Sequence, residues 1–398
     1  MDPAELDPQQ RDALTELRRD LHAHPELRFA EHRTAGIVAE RLAALGLAVH
    51  RGLGGTGVVG TLRGEGRGAI MLRADMDALP ITEASGVAHA SRHEGRMHAC
   101  GHDGHVAMLL GAAHVLARGA PPPATVHFVF QPGEEGGAGA LRMVEDGLFD
   151  QFPVEACFGL HNWPTLPIGQ FGIRDGAIMA AGTRFTITVE GRGGHAAQPH
   201  LAVDPIAIGC ALVGQAQTLV SRRTDPVKAA VLSVCMFQAG ESDNVLPGRA
   251  EIRGTIRTLD SGVMADLQAG LTALVEGVCA AQGATGRVAF HGAYPVTANS
   301  SPEARFAAAA MRDLVGGAAV EDPTPPNMTS EDFGFILERR PGAYGLIGIA
   351  EPGRPCPALH APTYDFNDAA IPLGVAYWVA LARRWPGDAG APGPGAIR

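Results

Sequence analysis

Apolar residues recur at helical spacing over residues 9–24, through Leu14, Leu17 and Leu21, and over 31–45, through Ile37, Val38, Leu42 and Leu45. Two amphipathic helices are predicted there, the first stopped by Pro25 and the second capped by Gly46. Short apolar runs bounded by glycine follow at 58–62 and 69–73, with others at 125–130, 155–160 and 343–349. These read as buried strands. Helices are expected at 104–118, 302–314 and 368–384, and a further one opening at 329–333 on a good N-cap sequence. Strands alternating with helices predict an α/β domain with a mostly parallel central sheet flanked by helices.

Between residues 182 and 299 the pattern changes character. Residues 184–190 alternate strictly, 229–237, 248–259 and 287–290 also read as strands, and 204–221 and 262–282 read as helices. The order β-α-β-β-α-β describes a small α+β domain, an antiparallel sheet with two helices, inserted into the larger one. The expected division is therefore 1–182 and 299–385 for the larger domain and 183–298 for the insertion. Residues 386–398, rich in Pro, Gly and Ala, are expected to be a disordered tail.

Composition narrows the function. The 398 residues are 46% apolar and carry a net charge of −10, with no basic run or cationic amphipathic stretch. Nucleic acid and anionic membrane surfaces are poor partners for such a chain, and small-molecule chemistry fits better. A charged and apolar leader is absent from the first residues and no run approaches eighteen apolar residues, so a cytoplasmic location is expected. The six cysteines are too scattered for a disulfide framework and read as reduced thiols. Five of them are expected to be core filler, with Cys100 the exception.

Cys100 lies in Met97-His98-Ala99-Cys100-Gly101-His102-Asp103-Gly104-His105, which packs three imidazoles, a thiol and a carboxylate into nine positions at a helix start. Backbone amides and the helix dipole are expected to favour a thiolate there. About thirty positions on, Gln131-Pro132-Gly133-Glu134-Glu135-Gly136-Gly137 delivers adjacent carboxylates at a strand end. Such neighbours repel unless a cation offsets them, so one acid is suited to bind metal and the other to act as a base. Soft and borderline donors at this density point to a catalytic divalent metal and to amide hydrolysis.

Other positions are ambiguous by themselves. Asp75-Met76-Asp77 ends a strand, where it is either a ligand site or ordinary turn chemistry. His161, also expected at a strand end, is either a ligand or a satisfied core histidine. The glycine-rich stretch around His195 reads as a polar hairpin loop before it reads as a loop presenting that imidazole, and Asn244 and Arg257 carry no signal alone.

Taken together, Leu21-His22-Ala23-His24-Pro25-Glu26-Leu27, Arg73-Ala74-Asp75-Met76-Asp77-Ala78-Leu79-Pro80, the Cys/His cluster, Gln131-Pro132-Gly133-Glu134-Glu135, Gly193-Gly194-His195-Ala196-Ala197 and Ser330-Glu331-Asp332-Phe333 are informative. The chain closely resembles the aminoacylase and hippurate-hydrolase branch of the dinuclear-metal exopeptidase superfamily, which includes the indoleacetyl-amino-acid hydrolases. The resemblance implies an enzyme that uses two divalent cations per subunit, zinc or manganese with cobalt and nickel as further candidates, to hydrolyse N-acyl amino acids such as hippurate-like or N-acetyl compounds. A dipeptidase or other deacetylase with the same metal chemistry is the alternative.

By the same resemblance the metal ligands fall on Cys100, in the bridging position, His102, Glu135, His161 and His360. Glu134 is the general base, Asp77 orients a ligand, and Asp75 stands outside the ligand set. The insertion becomes a lid or dimerisation domain, in which Asn244 and Arg257 hold the substrate carboxylate and His195 reaches a neighbouring subunit's site. A homodimer or dimer-based homo-oligomer follows.

Overall fold

The computed structural model of the chain describes residues 6–353 and 356–387. The tail expected at 386–398 lies, from residue 388 on, outside the described residues. Two compact units are present: one holds the chain up to Ile178, Ala298–Pro325 and the chain from Asp332 on, and the other holds Met179–Thr297 and Pro326–Glu331.

The first unit opens with α1 (Pro8–Ala23) and α2 (His32–Ala44), then β1 (Ala48–Leu53), β2 (Gly57–Leu62), β3 (Ala69–Asp75), α3 (His102–Arg118), β4 (Thr125–Gln131) and β5 (Ala156–Pro167). Asp7 caps α1 through a reciprocal pair of bonds with Gln10. An eight-stranded sheet runs in the order β1, β2, β4, β3, β5, Gly342–Ala350, Phe171–Gly172, Val320–Glu321. Its middle is parallel: β4 with β3, β3 with β5, and β5 with Gly342–Ala350. All seven residues of β4 are buried, as expected of a strand covered on both faces. Leu72, Phe128, Phe130, Phe158 and Ile347 from the sheet share one core with Val106, Leu109 and Leu110 of α3 and Val375 and Trp378 of the last helix, Ile371–Arg384.

Three local readings are corrected. The 155–160 strand extends to Pro167, because Leu346, Ile347 and Gly348 keep pairing with His161, Asn162 and Trp163, so His161 lies inside a strand rather than at its end. A helix does not open at 329–333; it is confined to Gly334–Leu337, and the Asp332 carboxylate accepts from Arg73, Gln131 and the Ala140 amide instead of capping. Of the five cysteines expected as filler, Cys210 and Cys235 are exposed, although all six are free thiols.

The second unit is an antiparallel sheet, in the order Ala230–Ala239, Arg249–Thr258, Ala181–Glu190, Thr285–Tyr294, with helices Pro205–Thr218 and Ser261–Ala281. Inward residues alternate along Arg249–Thr258, and Ala250, Ile252 and Ile256 meet Ile208, Leu212, Leu267 and Leu271 of the helices. Ser261–Ala281 is the one helix among the described residues long and apolar enough to cross a membrane by length and composition. Its Val263, Leu267, Leu271 and Val275 are instead buried in this unit's core.

Candidate metal centre

The parallel strands β3, β4 and β5 share a direction, so their carboxyl ends lie at one edge of the sheet, the usual place for a ligand in an α/β fold. From β3 come Asp75 and, just beyond, Asp77. Past the end of β4, Pro132-Gly133 turns the chain and delivers Glu134 and Glu135. His161 sits on β5 beyond Gly159, the last residue that pairs with β3. The first turn of α3 brings His102, preceded by Gly101 at φ 87°, where a Cβ would meet the Asn162 Oδ1 at 2.4 Å. Only glycine permits both that backbone and that approach.

Several overlapping groups of donors result among the described residues, and three of them overlap on Cys100, His102 and Glu135. The ligand atoms of Cys100, His102 and His161 lie within 4.8 Å of one another, as do those of Cys100, Glu135 and His360, and those of His102, Glu134 and Glu135. Cys100 Sγ is 3.4 Å from His161 Nε2, and His360 Nε2 is 3.1 Å from Glu135 Oε1. His360 adopts a positive φ of 66° in its loop.

The donors suit a pair of divalent cations. His102 Nδ1 donates to the Asp77 carbonyl at 2.8 Å, leaving Nε2 buried with no hydrogen-bond partner among the described residues. A carbonyl that fixes the Nδ1–H tautomer aims the opposite lone pair outward, as ligating imidazoles require. One sulfur, three imidazoles and carboxylates form a donor set for a borderline metal such as zinc.

The electrostatics favour added positive charge. Burial, and then Glu135, Glu134 and Asp75, push the Cys100 thiol well above its usual value. The expectation of a thiolate favoured by the helix start is thereby corrected: burial and three nearby carboxylates outweigh the dipole until a cation is present. Burial disfavours a charged His102, yet Asp75, Asp77 and Glu135 together raise it to about 10, so a cation at Nε2 would take the place of a proton there. Burial, with His105 and His102 nearby, pushes His161 well down, keeping it neutral as a ligand must be.

Around these donors is a shell of buried polar groups. Asp77 accepts from the Glu134 amide through Oδ1 at 3.0 Å and from the Glu135 amide through Oδ2 at 2.9 Å. Asp75 is clamped by Arg73 Nη1 at 2.6 Å and His105 Nδ1 at 2.5 Å, and His105 continues to Asn162 Oδ1 at 2.6 Å. Arg73 also donates to Gln131 at 2.8 Å and Asp332 at 3.0 Å, and the Asp332 amide faces Glu134 Oε1 at 3.4 Å. Sequence reasoning gives no role to Arg73 or Asn162, counts His105 among the cluster's imidazoles and takes Asp332 as part of a capping sequence; an arginine ending an apolar strand is the available signal for the network, since a buried guanidinium requires acids nearby.

Within the second unit, Gly194–His195 and Val245–Leu246 form a two-stranded ladder, and the Ala196 amide donates to the Asn244 carbonyl at 3.1 Å. His195 and Asn244 are thus neighbours; the exposed His195 ring accepts from the Ala197 amide at 3.0 Å. Arg257 belongs to this unit's other sheet, where its guanidinium donates to the Ser330 hydroxyl. Burial and Arg184 hold Arg257 below its usual value, a cationic pair suited to an anionic group.

Comparison with known proteins bears on this geometry. The sequence model for Peptidase family M20/M25/M40 matches residues 71–384. A hippurate hydrolase of Campylobacter jejuni is 38% identical over 374 residues, covering 93% of this chain and 95% of the relative. An N-acetyl-L-cysteine deacetylase of Bacillus subtilis is 38% identical over 363 residues, covering 89% of this chain and 84% of the relative. Among solved structures, the Bacillus subtilis YXEP protein, described as a dinuclear metal binding peptidase from the M20 family, superposes with a TM-score of 0.81 at 32% identity, covering 95% of this chain and 98% of that one.

Proposed function

The chain belongs to peptidase family M20/M25/M40, and we propose that this metal-dependent amide hydrolase cleaves the linear amide bond of N-acyl amino acids, hippurate-like or N-acetyl, to a carboxylic acid and a free amino acid. The observation that carries the reading is the overlap of three donor groups on Cys100, His102 and Glu135, with Glu134 beside them. Cys100, His102, Glu135, His161 and His360 hold two divalent cations, zinc or manganese, with cobalt or nickel as substitutes. When bound, the cations supply Lewis acidity that polarises the scissile carbonyl and acidifies water.

The chain's own residues do the rest. Glu134 takes the proton from the attacking water and returns it to the departing amine. Asp77 holds the Glu134 and Glu135 amides, fixing where both carboxylates point. Arg257, supported by Ser330, and Asn244 bind the substrate carboxylate. His195, contributed by the second copy in a homodimer, hydrogen-bonds the developing oxyanion. The insertion is thus a lid and dimerisation domain, and free thiols fit a cytoplasmic location.

Support for the acyl-amino-acid class comes from the hippurate hydrolase relative, and support for a small acyl group, the second reading, from the deacetylase relative. A panel of N-benzoyl and N-acetyl amino acids and unblocked dipeptides, read by release of free amine from metal-reconstituted protein, tests the proposal. Turnover of blocked substrates is expected; turnover of unblocked dipeptides alone would make the enzyme a dipeptidase.

A further inference from the structure

Glu31 stands at the N-cap of α2, yet makes no capping bond to its own helix. A short acid such as Asp in that position ordinarily satisfies the first helical amides. Here Glu26 has taken that task, accepting from the Arg33 amide at 2.9 Å and the Thr34 amide at 2.8 Å. Glu31 is completely buried and turned the other way: Oε1 accepts from the Gly133 amide at 2.9 Å and the Phe29 amide at 2.9 Å, and Oε2 from the Thr56 hydroxyl at 2.5 Å. Burying a carboxylate is costly unless hydrogen bonds offset it, and here three of them do.

What those bonds hold is the turn bearing Glu134 and Glu135. With the Asp77 contacts, three consecutive amides, Gly133, Glu134 and Glu135, end on two buried carboxylates from different parts of the chain. Two further contacts come from the same loop as Glu31. Arg28 Nη1 donates to the Glu135 carbonyl at 2.7 Å. The Phe29 ring lies so close that a Cβ on Gly133 would meet it at 2.6 Å and one on Gly137 at 2.7 Å. Phe29 itself has a φ of 62°, rare for a bulky residue, and the Arg142 guanidinium covers its ring at 3.8 Å. A strained aromatic persists where its surroundings over-determine it, often beside a functional site.

We propose that Glu31 is a positioning residue for the hydrolytic reaction: by gripping the Gly133 amide, it and the Arg28–Phe29 loop fix, together with Asp77, the place of the Glu134 carboxylate. The inference rests on the role given to Glu134 above. It acts through the turn and touches neither substrate nor cation.

Glu31→Leu removes the acceptor, Glu31→Gln keeps one oxygen for the Gly133 amide, and Glu26→Ala removes a carboxylate that only caps α2. Two readouts are compared across the variants: amide hydrogen exchange of the 131–137 segment in metal-free and zinc-loaded protein, and kcat and KM on an N-acyl amino acid. Glu31→Leu is expected to speed exchange in that segment on the order of tenfold or more, and to lower kcat on the order of ten- to hundredfold with KM little moved. Glu31→Gln falls between it and the natural chain, and Glu26→Ala speeds exchange at the start of α2 only. If Glu31→Leu matches Glu26→Ala in both readouts, or fails to fold while Glu31→Gln exchanges at 131–137 as the natural chain does, the proposal is overturned. Faster exchange at 131–137 in a chain that hydrolyses no N-acyl amino acid would support the positioning role and remove the functional reading instead.

Discussion

Asp77→Asn is nearly isosteric and opens no cavity, so its effect reports the hydrogen bonds and the charge of this carboxylate rather than packing. Both carboxylate oxygens are in use, one for the Glu134 amide at 3.0 Å and one for the Glu135 amide at 2.9 Å. An asparagine has one acceptor oxygen; its NH2 end must face one of the two amides, donor to donor. Losing one bond to a charged acceptor and leaving a buried N–H unmade costs about 2–3 kcal/mol. The backbone bond to His102 survives, because its Nδ1 donates to the Asp77 carbonyl, while the part of the His102 shift that comes from the Asp77 charge is lost. The hydrogen-bond loss therefore falls on the glutamate turn, and at about 1.4 kcal/mol per tenfold it is worth roughly thirty- to a hundred-and-fortyfold in cation affinity. Calorimetric titration of chelator-stripped protein with zinc or manganese measures this directly. Unchanged affinity, together with unchanged kcat, would refute the claim that Asp77 organises the turn.

Arg73→Met should lower unfolding free energy by about 3–5 kcal/mol, since it removes the cation that the buried Asp75 and Asp332 carboxylates share, and a urea midpoint equal to that of the natural chain would count against it. Cys100→Ala should lower bound metal below two ions per chain by elemental analysis; full occupancy would exclude it as a ligand. His22 is disfavoured as a cation by burial but raised to about 9 by Asp103 and Glu83. Its folded value lies above the unfolded one of about 6.5, so the stability it adds is complete below that pH and lost as pH rises through about 9. His22→Gln should therefore flatten the decline in unfolding free energy between about pH 6.5 and 9, and an unaltered profile would show that the Asp103 and Glu83 contacts carry no net charge coupling.

Periodicity made the layout legible, because a buried parallel strand such as β4 is apolar throughout and the antiparallel strands of the second unit alternate. β1 was not legible: its Ala48-Val49-His50-Arg51-Gly52-Leu53 is half exposed at a sheet edge and shows neither pattern. Cys100, His102 and the Glu134–Glu135 pair were readable as residue types, since sulfur, imidazole and paired acids are rare at such density, whereas His161 was ambiguous by itself and His360 rested on the resemblance. Their supports were not. Arg73 and Asp332 lie 259 residues apart, and Glu31 and Gly133 lie 102 apart. Nothing local marks Glu31 as serving another segment, and its N-cap position suggests the opposite. Ser330-Glu331-Asp332 was misread for a similar reason: a capping sequence and a buried-network sequence share the same residue types.

Replacing Glu134 by Gln, with metal content and turnover measured on the same preparation, tests the central claim most directly. Two cations per chain with a kcat lowered on the order of a hundredfold or more is the result expected if Cys100, His102, Glu135, His161 and His360 hold the metals and Glu134 moves the proton. Hydrolysis at the natural rate, with two cations still bound, would contradict it.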